Sequence, residues 1–479
     1  MSSEKIYDNI SELPSGWRRE PLGEVIPVIR GASPRPKGDP RYFGGDIPWI
    51  MISDITREKG KFLSKTKDHV TEAGSQKSRF LKAGTLILSN SGTVCVPKIL
   101  AVDGCIHDGF VAFPELPENF DPLFLYYYFD LIRPNIINAN RQGITQVNLN
   151  TTIVKEIRLP IAPLEQQKRI VAEIEKQFSR LDEAVTNLKR VKANLKRYKA
   201  AVLKAAVEGK LTEEWRNQHP DVETADKLLK DLLVAKGLSL GGKTKSKEPK
   251  TLPELSDPEI VKLPMLPDGW AWVKLLNATL EVVVGYVGPI KGHFTENQAI
   301  RFLSTTHIGE NVFIDSDVRY VTNEFDSKNA KSSVEAGDIL IARHGDSGKA
   351  CLVPQGLGKA QVSNAVIVRP LKKHTDPIYI TYAINATRRE LQRLKVGGVQ
   401  QVVNTMSMSN FPLPLPPHEE QKVIANEIES KFSVIDSFDE VIAESLKRAN
   451  SLRKSILKNA FSGRLIADTT IANVEVVNV

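Results

Sequence analysis

Two long stretches of the chain carry apolar residues at a seven-residue step, with further apolar residues between them. No proline or glycine interrupts residues 164–208 or 418–462. In the first stretch the pattern consists of Ile174, Phe178, Leu181, Leu188, Leu195 and Val202. In the second it consists of Ile428, Phe432, Ile435, Ile442, Leu452 and Ile456. The pattern predicts two helices that pair along a coiled-coil seam, each about 45 residues and roughly 65 Å long.

The remaining apolar positions form shorter runs that follow turn residues. Residues 84–89 have the sequence GTLILS and residues 337–342 have GDILIA, and both runs are typical of buried β-strands. Longer apolar segments begin at Pro122 and Pro377, and proline is favoured in the first turn of a helix. We therefore predict that each globular part is an α+β domain with a curved β-sheet.

These patterns occur twice in the same order, which indicates an internal duplication. The paired blocks are LPSGW from Leu13 and LPDGW from Leu266, IPWIMISDI from Ile47 and IRFLSTTHI from Ile300, QGITQV from Gln142 and GGVQQV from Gly397, and LPIAPLEQQKRIVAEI from Leu159 and LPLPPHEEQKVIANEI from Leu413. The offset stays between 253 and 255 residues. We therefore expect two globular domains at residues 1–160 and 263–415, each followed by a helical spacer at residues 161–211 and 416–466. A linker is expected at residues 212–262 and a disordered tail at residues 467–479.

The pairing of the two predicted helices has alternatives. Each helix could pack on its own domain, but its length exceeds what a domain of about 150 residues covers. An antiparallel pair is favoured, because the first helix leads toward the second domain and the second helix can lead back. That arrangement relates the two copies by a pseudo-two-fold axis. A parallel pair stays open, since residues 211–263 include the flexible run GLSLGGKTKSKEPK.

Composition limits the environment and the partners of the chain. Of its 479 residues, 41% are hydrophobic and 25% are charged, as is usual for globular proteins. No apolar run is long enough to cross a membrane, and the start lacks a secretory signal pattern, so we expect a cytoplasmic protein without membrane contact. The three cysteines are far apart, which indicates neither a disulfide framework nor a metal site. The net charge of +8 is compatible with a polyanionic partner.

Two similar domains inverted at the ends of a helical spacer suit a partner with a regular repeat. Half-sites on duplex DNA recur about every 34–36 Å along the helix axis. Because the two copies differ in sequence, they would read two different half-sites, which together form an asymmetric, bipartite target. Known catalytic motifs, such as the P-loop and the nucleophile elbow, are missing from the sequence. His107 beside Asp108 is more typical of a polar turn than of an acid–base pair, so no catalytic residue is assigned.

The duplicated blocks quoted above resemble the specificity (S) subunit of type I restriction–modification enzymes over nearly the whole chain. The resemblance implies non-catalytic recognition of double-stranded DNA by two target-recognition domains. It also implies that the helices form the spacer and dock two methyltransferase (M) subunits, and that ATP-driven restriction (R) subunits join the complex. S-adenosylmethionine chemistry would then belong to the partners, and no cofactor is expected on this chain. Residues 212–261 depart from the compact pattern of the family.

Candidate DNA contacts lie in loops that are rich in cations, amides and small polar residues, because loops on a rigid scaffold usually carry binding residues. In the first copy they are Arg30, Arg35, Lys37, Arg41, Ser89, Asn90, Ser91, Arg141, Gln142, Thr145 and Gln146. In the second copy they are Lys291, His293, Arg343, His344, Lys349, Gln400 and Gln401. The simpler interpretation of each loop is a solvated surface, and we expect phosphate contacts to outnumber base contacts.

Two other functions fit parts of the pattern. A coiled-coil adaptor that joins proteins without touching nucleic acid requires that the candidate loops do not converge on one basic face. An enzyme in its own right requires a clustered acid–base or metal set, which the sequence does not indicate.

Overall fold

The computed structural model describes residues 13–140, 149–239, 263–297, 300–394 and 403–466. The chain divides into two compact units, residues 1–189 with 443–479 and residues 190–442. Both divisions fall inside long helices, so each unit holds one end of each long helix. The tail expected at 467–479 lies outside the described residues.

The described part of the first unit contains short strands, five helices of its own and one end of each long helix. Its strands are β1 Arg18–Pro21, β2 Ile29–Arg30, β3 Phe43–Ile50, β4 Phe62–Leu63, β5 Asp68–Val70, β6 Arg79–Leu81, β7 Leu86–Ser89, β8 Pro97–Leu100, β9 Gly104–Ile106, β10 Phe110–Phe113 and β11 Arg158–Ile161. Its helices are α1 Leu22–Val25, α2 Ile52–Arg57, α3 Glu72–Gln76, α4 Pro122–Asn140, α5 Thr151–Lys155 and the first part of α6 Leu164–Val207.

The second unit repeats this arrangement. Its strands are β12 Ala271–Lys274, β13 Thr279–Val284, β14 Phe294–Thr295, β15 Ile300–Leu303, β16 Arg319–Val321, β17 Ser333–Val334, β18 Ile339–Ala342, β19 Ala350–Leu352, β20 Ala360–Val362, β21 Ala365–Pro370 and β22 Pro412–Leu415. Its helices are α7 Glu213–Gln218, α8 Ala225–Ser239, α9 Asn323–Lys328, α10 Pro377–Leu394, α11 Thr405–Ser409 and the first part of α12 His418–Phe461.

Sheet topology confirms the duplication and the predicted α+β class. In the first unit the strand orders are β2-β10-β7-β8-β4, β5-β3-β9-β6 and β1-β11. In the second unit they are β13-β21-β18-β19, β14-β16-β15-β20-β17 and β12-β22. Strands β14 and β15 together take the place of β3, since both pair with β16 as β3 pairs with β5.

The apolar runs that predicted central strands lie in the cores. All residues of β7 and β10 are buried, as are those of β18. A strand covered on both faces needs apolar side chains at successive positions, which explains the continuous runs.

In both units, the proline-started helix is anchored to the start of a long helix by the same contacts. The Asp121 carboxylate accepts hydrogen bonds from the backbone N–H groups of Leu123 and Phe124, and its own N–H donates to Gln167 Oε1 at 2.9 Å. In the second unit Asp376 caps α10 in the same way, and its N–H donates to Gln421 Oε1 at 2.9 Å. The repeated glutamine of the EQQ and EEQ blocks therefore holds a helix N-terminus.

The long helices pair within the first unit. Ile170 and Ile174 of α6 share the core with Phe461 at the end of α12. Further along α6, Asp182 forms an ion pair with Arg453, whose guanidinium also lies over the Phe178 ring. The residue numbers of the contacting positions on α12 therefore decrease as those on α6 increase, so the two helices run antiparallel.

The long helices pair in the same sense within the second unit. Lys199 of α6 forms an ion pair with Asp436 of α12 and lies over the Phe432 ring. Just after the end of α6, Thr212 donates a hydrogen bond to Glu420 near the start of α12. The antiparallel arrangement favoured from the sequence is therefore found in each unit.

Burial follows the seven-residue pattern with one departure. Ile174, Phe178, Val202, Ile428, Ile435, Ile442 and Ile456 are buried, and Leu181, Leu188, Leu195 and Phe432 are half-buried. Leu452 is 49% exposed and does not lie in the seam. The buried Ala449 continues the seven-residue step after Ile442. Phe432 lies four residues beyond Ile428, and the residue four beyond Ala449 is Arg453, which covers Phe178. Leu452 is only three residues beyond Ala449.

Part of the expected linker is folded into the second unit. Leu228 and Leu232 of α8 are buried in the core with Trp270. Arg216 of α7 donates a hydrogen bond to the Glu420 carboxylate and lies over the Trp270 ring. Residues 240–262 of the linker lie outside the described residues.

One duplicated contact differs in charge between the units. Trp17 Nε1 donates to Gln166 Oε1 at 2.8 Å in the first unit. Trp270 Nε1 donates to Glu420 Oε2 at 2.8 Å in the second. The carboxylate of Glu420 is fully buried and also accepts from Thr212 and Arg216, so it fastens α7 to the start of α12.

We expect Glu420→Leu to lower the free energy of unfolding of the second unit by about 3–5 kcal/mol, because it leaves a largely buried guanidinium without its carboxylate. The matched change Gln166→Leu removes one neutral acceptor and is expected to cost about 1 kcal/mol in the first unit. Hydrogen exchange measured by mass spectrometry on the full chain reads the two units separately. Equal losses in the two units would contradict the role of the buried charge.

Candidate nucleic-acid interface

In each unit two loops leave the sheet on either side of the same strand end. The first loop starts at Gly31 or Gly285, and the second loop starts at Ser89 or Ala342. In the first unit Gly31 N donates to Phe110 O at 2.9 Å, and Ser89 is the cross-strand partner of Phe110. In the second unit Gly285 N donates to Ala365 O at 2.9 Å, and Ala342 is the cross-strand partner of Ala365. Neighbouring strands lie about 4.8 Å apart, so the two loops of each unit start about two strand spacings from each other.

The first loop of the first unit lies against the turn between β9 and β10. A Cβ atom at Gly31 would stand 2.1 Å from the carbonyl oxygen of His107, so only glycine permits this approach. Ser33 Oγ donates to Asp108 Oδ1 at 2.9 Å and fixes the loop to the turn.

Cations of this loop converge on Asp108. Arg30 Nε donates to the Asp108 carbonyl oxygen at 3.1 Å. The guanidinium of Arg35 is 3.7 Å from the Asp108 carboxylate and its side chain is 71% exposed. Lys37 is exposed two residues further on. Arg30 and Arg35, two of the predicted DNA contacts, therefore lie at the same turn, and their role in binding stays a prediction.

The surroundings of His107 disfavour the protonated form of its ring. Burial lowers the pKa of His107 below its ordinary value of 6.5, and the cations of Arg35, Lys37 and Arg30 lower it further. The Asp108 carboxylate opposes this shift, with His107 Nε2 3.0 Å from Asp108 Oδ1. The ring accepts a hydrogen bond from Gly109 N at Nδ1, which orients it.

Arg41 differs from Arg35 in its local partner. Its Nη2 donates to Asp39 Oδ2 at 2.6 Å and its Nε to Asp39 Oδ1 at 3.1 Å, although the side chain is 72% exposed. This hydrogen-bonded guanidinium lowers the pKa of the Asp39 carboxyl. Arg41 therefore closes its own loop, whereas Arg35 is held by a longer contact.

The second loop of the first unit has one outward-facing candidate. Ser89 is fully buried, and its hydroxyl donates to Thr93 O and accepts from Val96 N. Asn90 is 6% exposed, and its amide donates to Asp108 O at 3.3 Å. Both side chains thus hold the loop together, and Ser91, which is half-buried, is the remaining candidate of this group for contact with a ligand.

The equivalent loop of the second unit presents charge instead. Arg343 is half-buried and donates from Nε to Val403 O at 3.3 Å, His344 is exposed, and Lys349 is half-buried. Lys291 and His293 lie on the other loop; both are exposed, and the His293 ring is 4.9 Å from that of Phe325. Within the described part of the chain, no hydrogen bond or ion pair joins the side chains of these two groups.

The sequence interpretation missed a charged clamp behind this loop. Arg388 of α10 is 11% exposed, and its Nη1 donates to Asp346 Oδ1 at 3.0 Å and to Ser347 O at 3.2 Å. Arg389 forms a two-pronged contact with Glu310, at 2.8 Å to each oxygen. The sequence signal that could have revealed Arg388 is Arg133, which lies at the duplicated position of the first unit. Arg133 Nε donates a hydrogen bond to Val94 O at 3.2 Å.

Several expected contacts lie outside the described residues. These are Arg141, Gln142, Thr145, Gln146, Gln400 and Gln401. Within the described ranges, no group of three or more His, Cys, Asp or Glu residues could hold a metal ion, and no helix is long and apolar enough to cross a membrane. Cys95, Cys105 and Cys351 are unpaired and buried.

Comparisons with known proteins give a consistent match. The family model for the type I restriction modification DNA specificity domain matches residues 14–197 and 287–445. The EcoKI specificity subunit of Escherichia coli K12 is 24% identical, across 98% of this chain and 93% of the relative. The EcoBI specificity subunit of Escherichia coli is 24% identical, across 71% of this chain and 65% of the relative.

Solved structures share the fold at low identity. A chain from work on complex assembly and conformational transition of the type I R-M system superposes with a TM-score of 0.65 and 18% identity, covering 95% of this chain and 99% of that one. The HsdS subunit from Thermoanaerobacter tengcongensis has a TM-score of 0.53 and 18% identity, with 95% and 99% covered.

We expect His107 to titrate below 6.5 in the folded chain, and Asp108→Asn to lower its pKa further by removing the opposing carboxylate. NMR titration of histidine ring carbons in the full chain measures both values, and Asp39→Asn serves as a control that leaves this pKa unchanged. Because the unfolded chain binds the proton more readily, stability from this group is kept above pH 6.5 and declines as the pH falls through the folded pKa. A pKa at or above 6.5 would rule out the buried, neutral ring.

Proposed function

Because the chain belongs to the family of type I restriction–modification DNA specificity domains, we propose that it reads an asymmetric, bipartite duplex target, one half-site per unit. The chain itself performs no chemistry in this proposal. Methyltransferase subunits add the methyl group, and restriction subunits cut DNA in an ATP-dependent reaction.

The observation that carries this proposal is a shared scaffold with different side chains on the same loop. Gly92 and Gly345 have φ of 67° and 75° at duplicated positions, so the two loops turn alike. The residue before the glycine is Ser91 in the first unit and His344 in the second. Identical placement with unlike donors and acceptors is what reading two different base sequences requires.

Convergence of cations in the first unit favours DNA over a purely protein-binding adaptor. Arg30, Arg35 and Lys37 surround one turn and all lie within electrostatic reach of His107. A basic surface of this kind supplies phosphate contacts that set the register on a duplex.

An apolar stripe on α12 supports docking of partner subunits through the long helices. Val434, Phe438 and Val441 are 55%, 54% and 60% exposed and lie three or four residues apart, so they share one helix face. Exposed apolar side chains grouped on one face mark protein interaction surfaces. In this proposal that face contacts a methyltransferase subunit while the seam stays buried.

The function is tested by selection from randomised duplexes with the full chain bound to its methyltransferase subunits. We expect enrichment of two short base blocks separated by a fixed unread spacer. Enrichment without sequence preference would remove the proposal, and a single block would remove its bipartite part.

Arg35 and Arg41 provide a matched comparison, because they are almost equally exposed. We expect Arg35→Ala to lower the slope of log affinity against log salt by about 1, the value for one lost phosphate contact. Arg41→Ala is expected to change the slope less, since its charge is already neutralised by Asp39. Titration of the selected duplex at several salt concentrations measures both slopes, and a reversed order would contradict these assignments.

The spacer role predicts a coupling between helix length and target length. Inserting one heptad at facing positions of α6 and α12 adds about 10 Å, which corresponds to about three base pairs. We expect the selected spacer to lengthen accordingly while both base blocks persist. An unchanged spacer with unchanged affinity would show that the helices do not set the separation.

A further inference from the structure

The second loop of each unit is closed by the same pair of backbone hydrogen bonds. In the first unit Ser89 N donates to Val96 O at 3.1 Å, and Ser89 O accepts from the backbone N–H before Val96 at 2.8 Å. In the second unit Ala342 N donates to Lys349 O at 3.0 Å, and Ala342 O accepts from the backbone N–H before Lys349 at 2.7 Å. Closure of either loop therefore needs no side-chain charge.

An arginine behind each second loop also contacts the loop backbone at duplicated positions. Arg133 Nε donates to Val94 O at 3.2 Å in the first unit, and Arg388 Nη1 of α10 donates to Ser347 O at 3.2 Å in the second. The same Arg388 nitrogen donates to Asp346 Oδ1 at 3.0 Å, where the first unit has an uncharged threonine. The carboxylate is therefore an addition of the second unit to a contact that both units share.

The carboxylate of Asp346 is oriented from behind and open in front. Its side chain is 63% exposed, whereas the arginine that holds Oδ1 is only 11% exposed. Within the described residues, Oδ2 accepts no hydrogen bond. The sequence prediction selected Arg343, His344 and Lys349 from this loop and passed over Asp346. The loop thus presents one directed acceptor among its cations.

A carboxylate on a DNA-reading loop has one favourable use. Phosphates repel it, so it weakens sequence-independent binding to a duplex. In the major groove, however, a carboxylate accepts a hydrogen bond from an exocyclic amino group at a base edge. Because the loop closes without this charge, recognition of an amino group accounts for the presence of Asp346 on the loop.

We propose that Asp346 reads one base of the half-site of the second unit, by accepting a hydrogen bond at Oδ2 from an exocyclic amino group in the major groove. That group is N4 of cytosine or N6 of adenine. Arg388 is a positioning residue: it does not touch DNA, and it sets the direction of the carboxylate. This inference rests on the proposed function and adds to it the class of base edge that the second unit recognises.

The first test uses the full chain in complex with its methyltransferase subunits and the selected duplex. Asp346→Asn keeps the side-chain shape, but it removes the charge and can no longer present two acceptor oxygens. We expect the preference at one base pair of one block to fall about tenfold. Affinity for unrelated duplexes is expected not to fall, because the variant removes a charge that phosphates repel. Glu324→Gln is the matched control, since Glu324 is an exposed, ion-paired carboxylate of the same unit outside the loop.

Base analogues that lack the amino group identify the contacted atom. Purine replaces adenine, or 2-pyrimidinone replaces cytosine, at one position of the selected duplex at a time. At the contacted position the wild-type complex is expected to bind about tenfold more weakly. The same analogue should have little further effect on Asp346→Asn, because the contact is already lost. The analogue that produces this pattern distinguishes adenine from cytosine.

Variants of Arg388 test its positioning role. Arg388→Leu is expected to reduce the preference at the same base pair, because the carboxylate loses its fixed direction. Arg388→Lys should retain part of that preference, since an ammonium group can still hold one oxygen. The preference in the other block should stay unchanged in both variants, and it reads out any general loss of folding.

The outcomes separate the two proposals. If the wild-type complex does not distinguish the selected duplex from an unrelated one, the proposed function fails. If it does distinguish them, and Asp346→Asn keeps the base preferences of the Glu324→Gln control, the inference about Asp346 alone is overturned. Equal losses in both blocks would overturn it too, because they would give Asp346 a general structural role. Asp346 is a surface residue, so these results do not depend on whether Arg388→Leu folds.

Discussion

The core of each unit is completed by a helix end that belongs to the other sequence copy. In the first unit Phe461, near the end of the described chain, is fully buried, with its ring centre 4.8 Å from that of Phe124 and 5.2 Å from that of Tyr128. In the second unit Val202 and Leu203 of α6 are buried in the core that contains Trp270. Neither copy can bury its apolar surface with its own residues alone, so folding requires both long helices. This constraint explains why both copies keep a long helix.

The polar contacts that fasten these helices are duplicated with the fold. Gln167 and Gln421 each hold the capped N-terminus of a proline-started helix at 2.9 Å. Trp17 and Trp270 each donate to the residue before that glutamine at 2.8 Å. Only the second copy uses a carboxylate there, and it is the copy that binds Arg216 of α7. The extra segment after α6 is therefore anchored by a charge that the first copy lacks.

A rigid scaffold with buried strands leaves the loops free to diverge. Gly31 and Gly285 start the first loop of each unit with the same backbone hydrogen bond, because the strand end beside them is the same. Beyond that point the side chains of the two loops differ. Preserved backbone contacts and changed surface chemistry are the combination that allows one fold to read two sequences.

The sequence by itself determined the duplication, the α+β class, the two long helices and the basic character of the first loop. Each of these depends on periodicity or local composition, and heptads, apolar runs and clustered cations are visible without tertiary contacts. Only the tertiary structure decided which polar residues face outward. Ser89 and Asn90 have the composition of a binding loop, yet their side chains hold the loop to Val96 and Asp108. Leu452 fits a seam by spacing, yet Arg453 takes that place because the position four residues beyond Ala449 faces Phe178. Orientation and pairing depend on long-range contacts, and no local pattern encodes them.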